Sequence, residues 1–546
     1  MTDSNDVGPR SGTRTIVGIL FLVIACQFWL IFVKEINWDE FLHFGQIYEL
    51  ANGQLRRSLQ TLHTRLFGWT ALISQDIIVQ IQAARVAMLA CALLTTTCVV
   101  VLARRLADSQ TALFCGLAYL TAGYVFTNAF TYRPDPVAAA ALMGALCVFA
   151  MGTLSWKRAV LAGVLIGLAG ALTIKSIFYL PCFAAIAWLH WIRQGGQKSK
   201  DLLLFCLMAV LAFSSFAMIV GLHGAGLPAS GNQASNLGKS MDSFVQFATF
   251  EKIHHVFRQI IVSPLVVLSL VMLPFAARKL PKESKYLLIG LTGPLLCLLF
   301  YRNTFPYFFV FLLPPICVAI APVLAKLIKR FGQALIVVLA LFGPVLLLMQ
   351  EPFGTLERQR ATINEVERLF PDPTPYLSYS SYVPHYPRQF TSLLSGVALR
   401  RYWDERNGDI TRDIEAGQIA FVIATGPALD AVYRSEGPAS LLPERDVVAL
   451  RTNFLQHSDT IFIAGHEICP KSAEQMVKIV RNGPHSLEGG DLVIKGRRLS
   501  DGDSMILQSG LNEVLYEQGP CVKLWALDQV PKLPKDFPSG PIFGGF

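Results

Sequence analysis

Over its first 350 residues the chain alternates long apolar runs with short polar connections, and then its character changes. A run of about 20 apolar residues is what a helix needs to cross the hydrocarbon core of a bilayer. Eleven spans are read on that basis, at 15–33, 84–103, 111–130, 136–154, 159–174, 177–191, 202–222, 259–277, 286–300, 308–325 and 334–349. The pattern therefore predicts an α-helical polytopic membrane domain over 1–350 and a soluble domain over 351–546.

The polar connections test this count. Arg10 and Arg14 precede the first span, placing the N-terminus in the cytoplasm. The connections assigned to the same side hold Arg104-Arg105, Lys157-Arg158, Arg193 with Lys198 and Lys200, Arg278-Lys279 with Lys282 and Lys285, and Lys326 with Lys329-Arg330. Short basic loops on the cytoplasmic side are what membrane topology requires. An odd span count then exports the tail. Span 15–33 is too long for a signal-peptide core and reads as a retained anchor.

The first outer loop, 35–80, opens with Asn37-Trp38-Asp39-Glu40. Within it Phe41, Phe44, Ile47, Tyr48 and Ala51 recur at helical spacing, predicting an amphipathic helix along the membrane surface. The tail reads as an α/β layer. Helices are expected at 356–369, 427–435 and 471–481, and strands at 376–383, 418–425, 447–450 and 460–464. Short antiparallel strands are expected at 491–495, 504–508, 512–516 and 522–526. Asp501-Gly502-Asp503 between two of them is the pattern of a hairpin turn.

Composition agrees with this picture: 53% of the 546 residues are hydrophobic and 16% charged. The net charge of +9 sits in the inter-span clusters, which argues for topology and against nucleic acid. Nine of eleven cysteines lie in apolar runs as small core hydrophobes. Cys469 and Cys521 lie in the tail, where export would allow a disulfide between them.

Carboxylates just outside a span are costly to desolvate and mark chemistry or fixed partners. Asp39 and Glu40 are joined, at span ends assigned to the same outer face, by Arg133 and Asp135 (TYRPDP), Lys175 (LTIKSIF) and Arg302 (FYRNTFPY). Attack of a hydroxyl on a sugar carbon with a lipid phosphate leaving needs a base at the acceptor and cations at the phosphate. Asp39 fits the base. Lys175 and Arg302, with Arg133 as a third, fit the phosphate cations, and Asp135 would orient the sugar, the acceptor or a cation. The bland readings are a solvated span boundary for Asp39 and Glu40, a structural ion pair for Arg133 and Asp135, and a snorkelling lysine for Lys175. Asp39, Glu40 and His43 could approach one metal ion, but the favoured reading is a surface helix with an incidental His. His254-His255 reads as a loop pair.

These motifs resemble the C-type (GT-C) glycosyltransferase superfamily, in particular the branch holding protein O-mannosyltransferases and lipid A aminoarabinose transferases. The carriers are WDEFLHFGQIYELANG followed by TRLFGWTAL, Arg133-Pro134-Asp135-Pro136, Leu172-Thr173-Ile174-Lys175-Ser176, and Arg302 with Tyr307 in YFFVFLLPPICVA. The resemblance implies a polyprenyl-phosphate-linked sugar donor, an inverting single displacement and no obligatory nucleotide sugar; the acceptor hydroxyl, on a lipid, glycan or protein, stays open, and no obligatory cofactor is expected. It also places donor contacts near His63 and Arg65, although His63-Thr64-Arg65 stands where the branch often has Lys-Pro-Pro. Ser176-Ile177 likewise replaces its usual Gly-Pro. Residues Gly544-Gly545-Phe546 carry no retention motif, which fits a bacterial inner membrane with the tail in the periplasm. The alternative from another class is a transporter or lipid flippase. It calls for ionisable groups near span centres rather than at span ends.

Overall fold

The structure is a computed structural model and describes residues 10–193, 198–228, 252–389, 396–405, 407–434, 441–470, 475–516 and 518–544. It divides into two compact units. One comprises Met1–Lys34 and Glu49–Glu351, and the other Glu35–Tyr48 and Pro352–Gly545. The first-loop segment carrying Asp39 thus packs as part of the C-terminal unit.

The first unit is helical. Among the described residues, five helices are long and apolar enough to cross a membrane: Thr13–Val33, Ile77–Ala103, Ile174–Ile192, Lys198–Ala225 and Gln333–Gln350. Two bent pairs raise the number to seven, Ile253–Ile261 with Pro264–Ala277 (91°) and Phe308–Ala319 with Ala321–Phe331 (65°). The protein is an integral membrane protein, and the described residues do not confirm the count of eleven spans. Proline is one reason, since it removes a helix donor and clashes with the preceding turn. Pro264 opens the helix after the 91° bend, and Pro314 and Pro315 lie inside Phe308–Ala319. Pro294 sits in the 3₁₀ segment Gly293–Leu299 that continues Lys282–Thr292.

Helix starts follow capping chemistry. Asp76 accepts from the amides of Ile78 and Val79 at the head of Ile77–Ala103, and Asp108 does the same for Ser109–Leu120. Helices Trp156–Leu172 and Lys198–Ala225 meet backbone to backbone. A Cβ at Gly163 or Gly167 would lie 2.7 or 2.6 Å from the Met208 and Ala212 carbonyl oxygens, so only glycine allows the approach. Buried Arg85 donates to the carbonyls of Ile31 (3.3 Å) and Lys34 (2.9 Å), closing the first helix where its own hydrogen bonds run out.

Among the described residues the second unit holds eleven strands: β1 (Tyr376–Ser378), β2 (Phe421–Ile423), β3 (Phe454–Gln456), β4 (Ile461–Ile468), β5 (Gln475–Ile479), β6 (Gly483–Glu488), β7 (Leu492–Ile494), β8 (Arg497–Leu499), β9 (Ser504–Leu507), β10 (Gly510–Leu515) and β11 (Val522–Trp525). Seven form a sheet ordered β1-β2-β4-β11-β6-β9, with β3 also paired to β4. Only β1 and β2 are parallel within it. The other four, in the order β5-β10-β7-β8, make an antiparallel sheet. Helices Gly426–Arg434 and Glu444–Asn453 contribute Leu429, Val432 and Leu450 to a core with Val422 and Phe462. Cys469 and Cys521 are disulfide-bonded, 4.0 Å apart at Cα, at the paired ends of β4 and β11.

Three local expectations are corrected. Residues 447–450 are helical within Glu444–Asn453, because Pro443 starts a helix and Val447 and Leu450, three apart, bury one face. The expected helix 471–481 contains β5 instead; its exposed and inward positions alternate beside β10, and 471–474 lie outside the described residues. His254 and His255 sit in the first turn of Ile253–Ile261 rather than in a loop. Between the spans read at 202–222 and 259–277, His223 lies in the last turn of helix Lys198–Ala225, and 229–251 lie outside the described residues. Asp501-Gly502-Asp503 forms the expected turn, with Gly502 at φ +85°.

Candidate functional site

In the first unit, Arg133 takes the N-cap position of helix Pro134–Ala150, whose φ prolines Pro134 and Pro136 supply. Asp135 therefore stands in the helix's first turn, where the macrodipole favours an anion. Lys175 belongs to the 3₁₀ segment Ile174–Tyr179, separated from Trp156–Leu172 by the extended Thr173. The fold brings Lys175 onto Asp135, its ammonium ion-paired with Oδ1. Both are buried, as are Arg133 and Tyr307.

Tyr307, just ahead of helix Phe308–Ala319, links the cations. The Arg133 guanidinium lies 3.4 Å from its ring centroid, and the Lys175 ammonium 5.6 Å from the same ring. Lys175 is also 5.8 Å from the Phe308 ring, against which Tyr301 packs at 4.7 Å. The result is a buried, aromatic-walled pair of cations with one carboxylate, which leaves one positive charge in excess. Arg302 follows Tyr301 and is half-buried.

The first loop meets this region through His63, which is buried edge-to-face against Tyr132 at 6.0 Å, the residue before Arg133. Arg65 has another task. Its Nε donates to His223 Nδ1 at 2.8 Å. A guanidinium only donates, so His223 Nδ1 is the acceptor, and Nε2 carries the hydrogen toward Thr61 Oγ1 at 2.8 Å. This ties the loop to the end of helix Lys198–Ala225 through a neutral histidine.

In the second unit, Asn37 and Glu40 form a capping box around helix Trp38–Ala51. Asn37 Oδ1 accepts from the Asp39 amide and Glu40 Oε1 from the Asn37 amide, each at 3.0 Å. Glu40, fully buried, thereby has a structural task. Asp39 is 7% exposed, and its Oδ1 lies 3.8 Å from Nε2 of His43, one turn on. Among the described residues, no three His, Cys, Asp or Glu side chains are grouped to hold a metal ion.

The structure thus gathers Arg133, Asp135, Lys175 and Tyr307 in one unit, with His63 beside Tyr132, and places Asp39 and Glu40 in the other. The capping box shows in the sequence as Asn-x-x-Glu, Asn37 to Glu40, ahead of an apolar helix. Nothing local marked Tyr301 or His223.

No protein-family model matches the sequence, and a search of curated proteins finds none that matches it. Among solved structures, the chain is similar to ArnT from Cupriavidus metallidurans bound to undecaprenyl phosphate, with a TM-score of 0.46 and 15% identity over 63% of this chain and 65% of that one. It is also similar to the Archaeoglobus fulgidus oligosaccharyltransferase in complex with Zn and sulfate, with a TM-score of 0.49 and 11% identity over 94% of this chain and 96% of that one. For the arabinosyltransferase EmbB from Mycobacterium smegmatis the TM-score is 0.40 and the identity 11%, over 97% of this chain and 66% of that one. The chain therefore spans just under two thirds of the ArnT and EmbB chains.

Proposed function

We propose that the protein is a membrane glycosyltransferase that moves a sugar, with inversion, from a polyprenyl-phosphate-linked donor to a hydroxyl acceptor on the outer face of a bacterial inner membrane. The observation that carries this reading is the buried cluster of Arg133, Lys175, Asp135 and Tyr307, two cations held on an aromatic wall at helix ends. Cations so desolvated bind an anion strongly, and the anion that a membrane delivers to a span end is a lipid phosphate.

In the reaction the acceptor oxygen bonds to the anomeric carbon from the face opposite the phosphate, and the bond from that carbon to the phosphate oxygen breaks. Asp39 takes the acceptor proton. Lys175 and Arg302 meet the charge that develops on the departing polyprenyl phosphate, with Arg133 in support. Asp135 holds Lys175 in place until the phosphate engages it, and His63 and Tyr307 shape the donor side. No obligatory cofactor enters the scheme. The Cys469–Cys521 bond fits an oxidising compartment for the C-terminal unit.

The test is Asp39→Asn in the full-length protein, assayed by release of polyprenyl phosphate from a labelled donor. Loss of a general base lowers turnover on the order of 10²–10⁴-fold. Near-normal turnover in a folded Asp39→Asn protein removes the mechanism.

A further inference from the structure

The exported domain of a membrane enzyme is readily taken for an acceptor-binding appendage, but here it holds the backbone of the acidic loop. We infer that Gln359 is a positioning residue for the Asp39 carboxylate and that the C-terminal unit is its brace. The inference rests on the reading of Asp39 as the base.

Gln359 lies on helix Thr355–Leu369 and is fully buried. Its Oε1 accepts from the Ile36 amide at 2.9 Å, and its Nε2 donates to the Ile36 carbonyl at 2.7 Å. One side chain thereby satisfies both peptide groups of one residue, as a neighbouring strand would. The second Nε2 hydrogen goes to the Ile542 carbonyl at 2.8 Å, so both amide hydrogens are engaged, each with a buried residue. Tyr382 fixes the helix in turn, its hydroxyl donating to the Gln359 carbonyl at 3.0 Å.

From Ile36 the hold passes along the backbone to Asp39. Asn37 is the next residue, and its side chain caps the Asp39 amide. On either side of it, the Glu35 carboxylate accepts from the Gly544 amide at 2.6 Å and the Ser380 hydroxyl donates to the Trp38 carbonyl. Rings complete the grip, Trp38 on Tyr379 at 5.5 Å and Phe41 on Tyr382 at 4.8 Å. A base must stand within hydrogen-bond reach of the proton it takes, and this network determines where Asp39 stands. By comparison, Glu365 bonds Arg368 and His457, joining helix Thr355–Leu369 to the turn after β3.

The experiment compares Gln359→Leu and Gln359→Glu with the wild-type chain, full-length in lipid nanodiscs. Leu removes all three hydrogen bonds at similar volume; Glu keeps an acceptor for Ile36 but turns an oxygen toward two carbonyls. Amide exchange at Ile36 and Asp39 is expected to accelerate in both variants, while strands β2 and β4 keep their protection. Turnover is expected to fall on the order of 10²-fold, the cost of a misplacement of about 1 Å, with affinity for undecaprenyl phosphate within about twofold of wild type. Unchanged exchange at Ile36, uniform acceleration across the unit, or wild-type turnover in Gln359→Leu each overturns the inference. Asp39→Asn is run alongside. If it turns over normally the base reading fails, and the exchange data still decide separately whether the brace exists.

Discussion

Gly45 lies so close to Ser381 that a Cβ on residue 45 would sit 2.3 Å from the Ser381 Cβ. Helix Trp38–Ala51 therefore docks on the C-terminal unit through a position with no side chain. Gly45→Ala must push the two apart, an overpacking cost of about 1–3 kcal/mol that the better helix propensity of Ala, worth about 1 kcal/mol, offsets only in part. Because Asp39 rides on the same helix, turnover should fall as well. Gly45→Ala with Ser381→Gly should restore both melting temperature and turnover; a double variant no better than Gly45→Ala removes the contact as the cause.

The Arg133–Tyr307 stack depends on a ring face rather than on a hydroxyl. Tyr307→Phe should preserve affinity for undecaprenyl phosphate, whereas Tyr307→Leu should weaken it by up to about 2 kcal/mol, the scale of a desolvated cation–π contact. Lipid-binding titrations of the two variants check this.

Removing Asp135 leaves Lys175 buried without its ion-pair partner. Asp135→Asn should cost about 3–5 kcal/mol of stability, while Asp135→Asn with Lys175→Met should cost less. Thermal unfolding of the two single variants and the double in detergent gives the coupling. Additive losses would mean that the pair does not exist.

His466 on β4 is pushed down from 6.5 to about 4, first by burial and then by the nearby His485. The folded chain thus keeps it neutral where the unfolded chain protonates it near its ordinary value. Between about pH 6.5 and 4 the unfolded state binds more protons, so stability is full above that window and is lost as pH falls through it, by up to about 3 kcal/mol. Denaturant unfolding at pH 7 and pH 5 should show the loss, and His466→Gln should flatten it.

The Cys469–Cys521 bond closes a loop with a sequence separation of 52 residues across β4 and β11. Converting both cysteines to Ser should destabilise the C-terminal unit by about 2–4 kcal/mol, through the freed entropy of its unfolded state. Melting under reducing and non-reducing conditions should differ in the wild type and coincide in the variant.

Much of the membrane unit is legible in single residues. Asp76, Asp108 and the Pro134-Asp135-Pro136 run mark helix starts because caps and prolines act within one turn. The count of eleven spans is not confirmed: the runs read at 259–277 and 308–325 each bend between two helices, before Pro264 and before Pro322, and the run at 286–300 passes into a 3₁₀ segment at Pro294, since a window sums polarity and does not see a missing amide donor. In the tail, 447–450 and 471–481 were misread for the opposite reason. Short apolar runs carry both periods, and only pairing of β5 with β10, or packing of Leu450 beneath the sheet, settles which one is used.

By itself the sequence determined that the chain is a membrane protein with a C-terminal α/β unit, and it marked Asp39, Arg133, Asp135 and Lys175 as candidates. Hydrophobic burial and the cost of stranded charge act on every residue individually, and so they show in composition and order. Tertiary structure alone decided that Lys175 pairs with Asp135, that Tyr307 carries Arg133, and that Gln359 holds Ile36 from 323 residues away. Those contacts join segments whose separation along the chain says nothing of their distance in space, and side-chain hydrogen bonds of this kind leave no period to read.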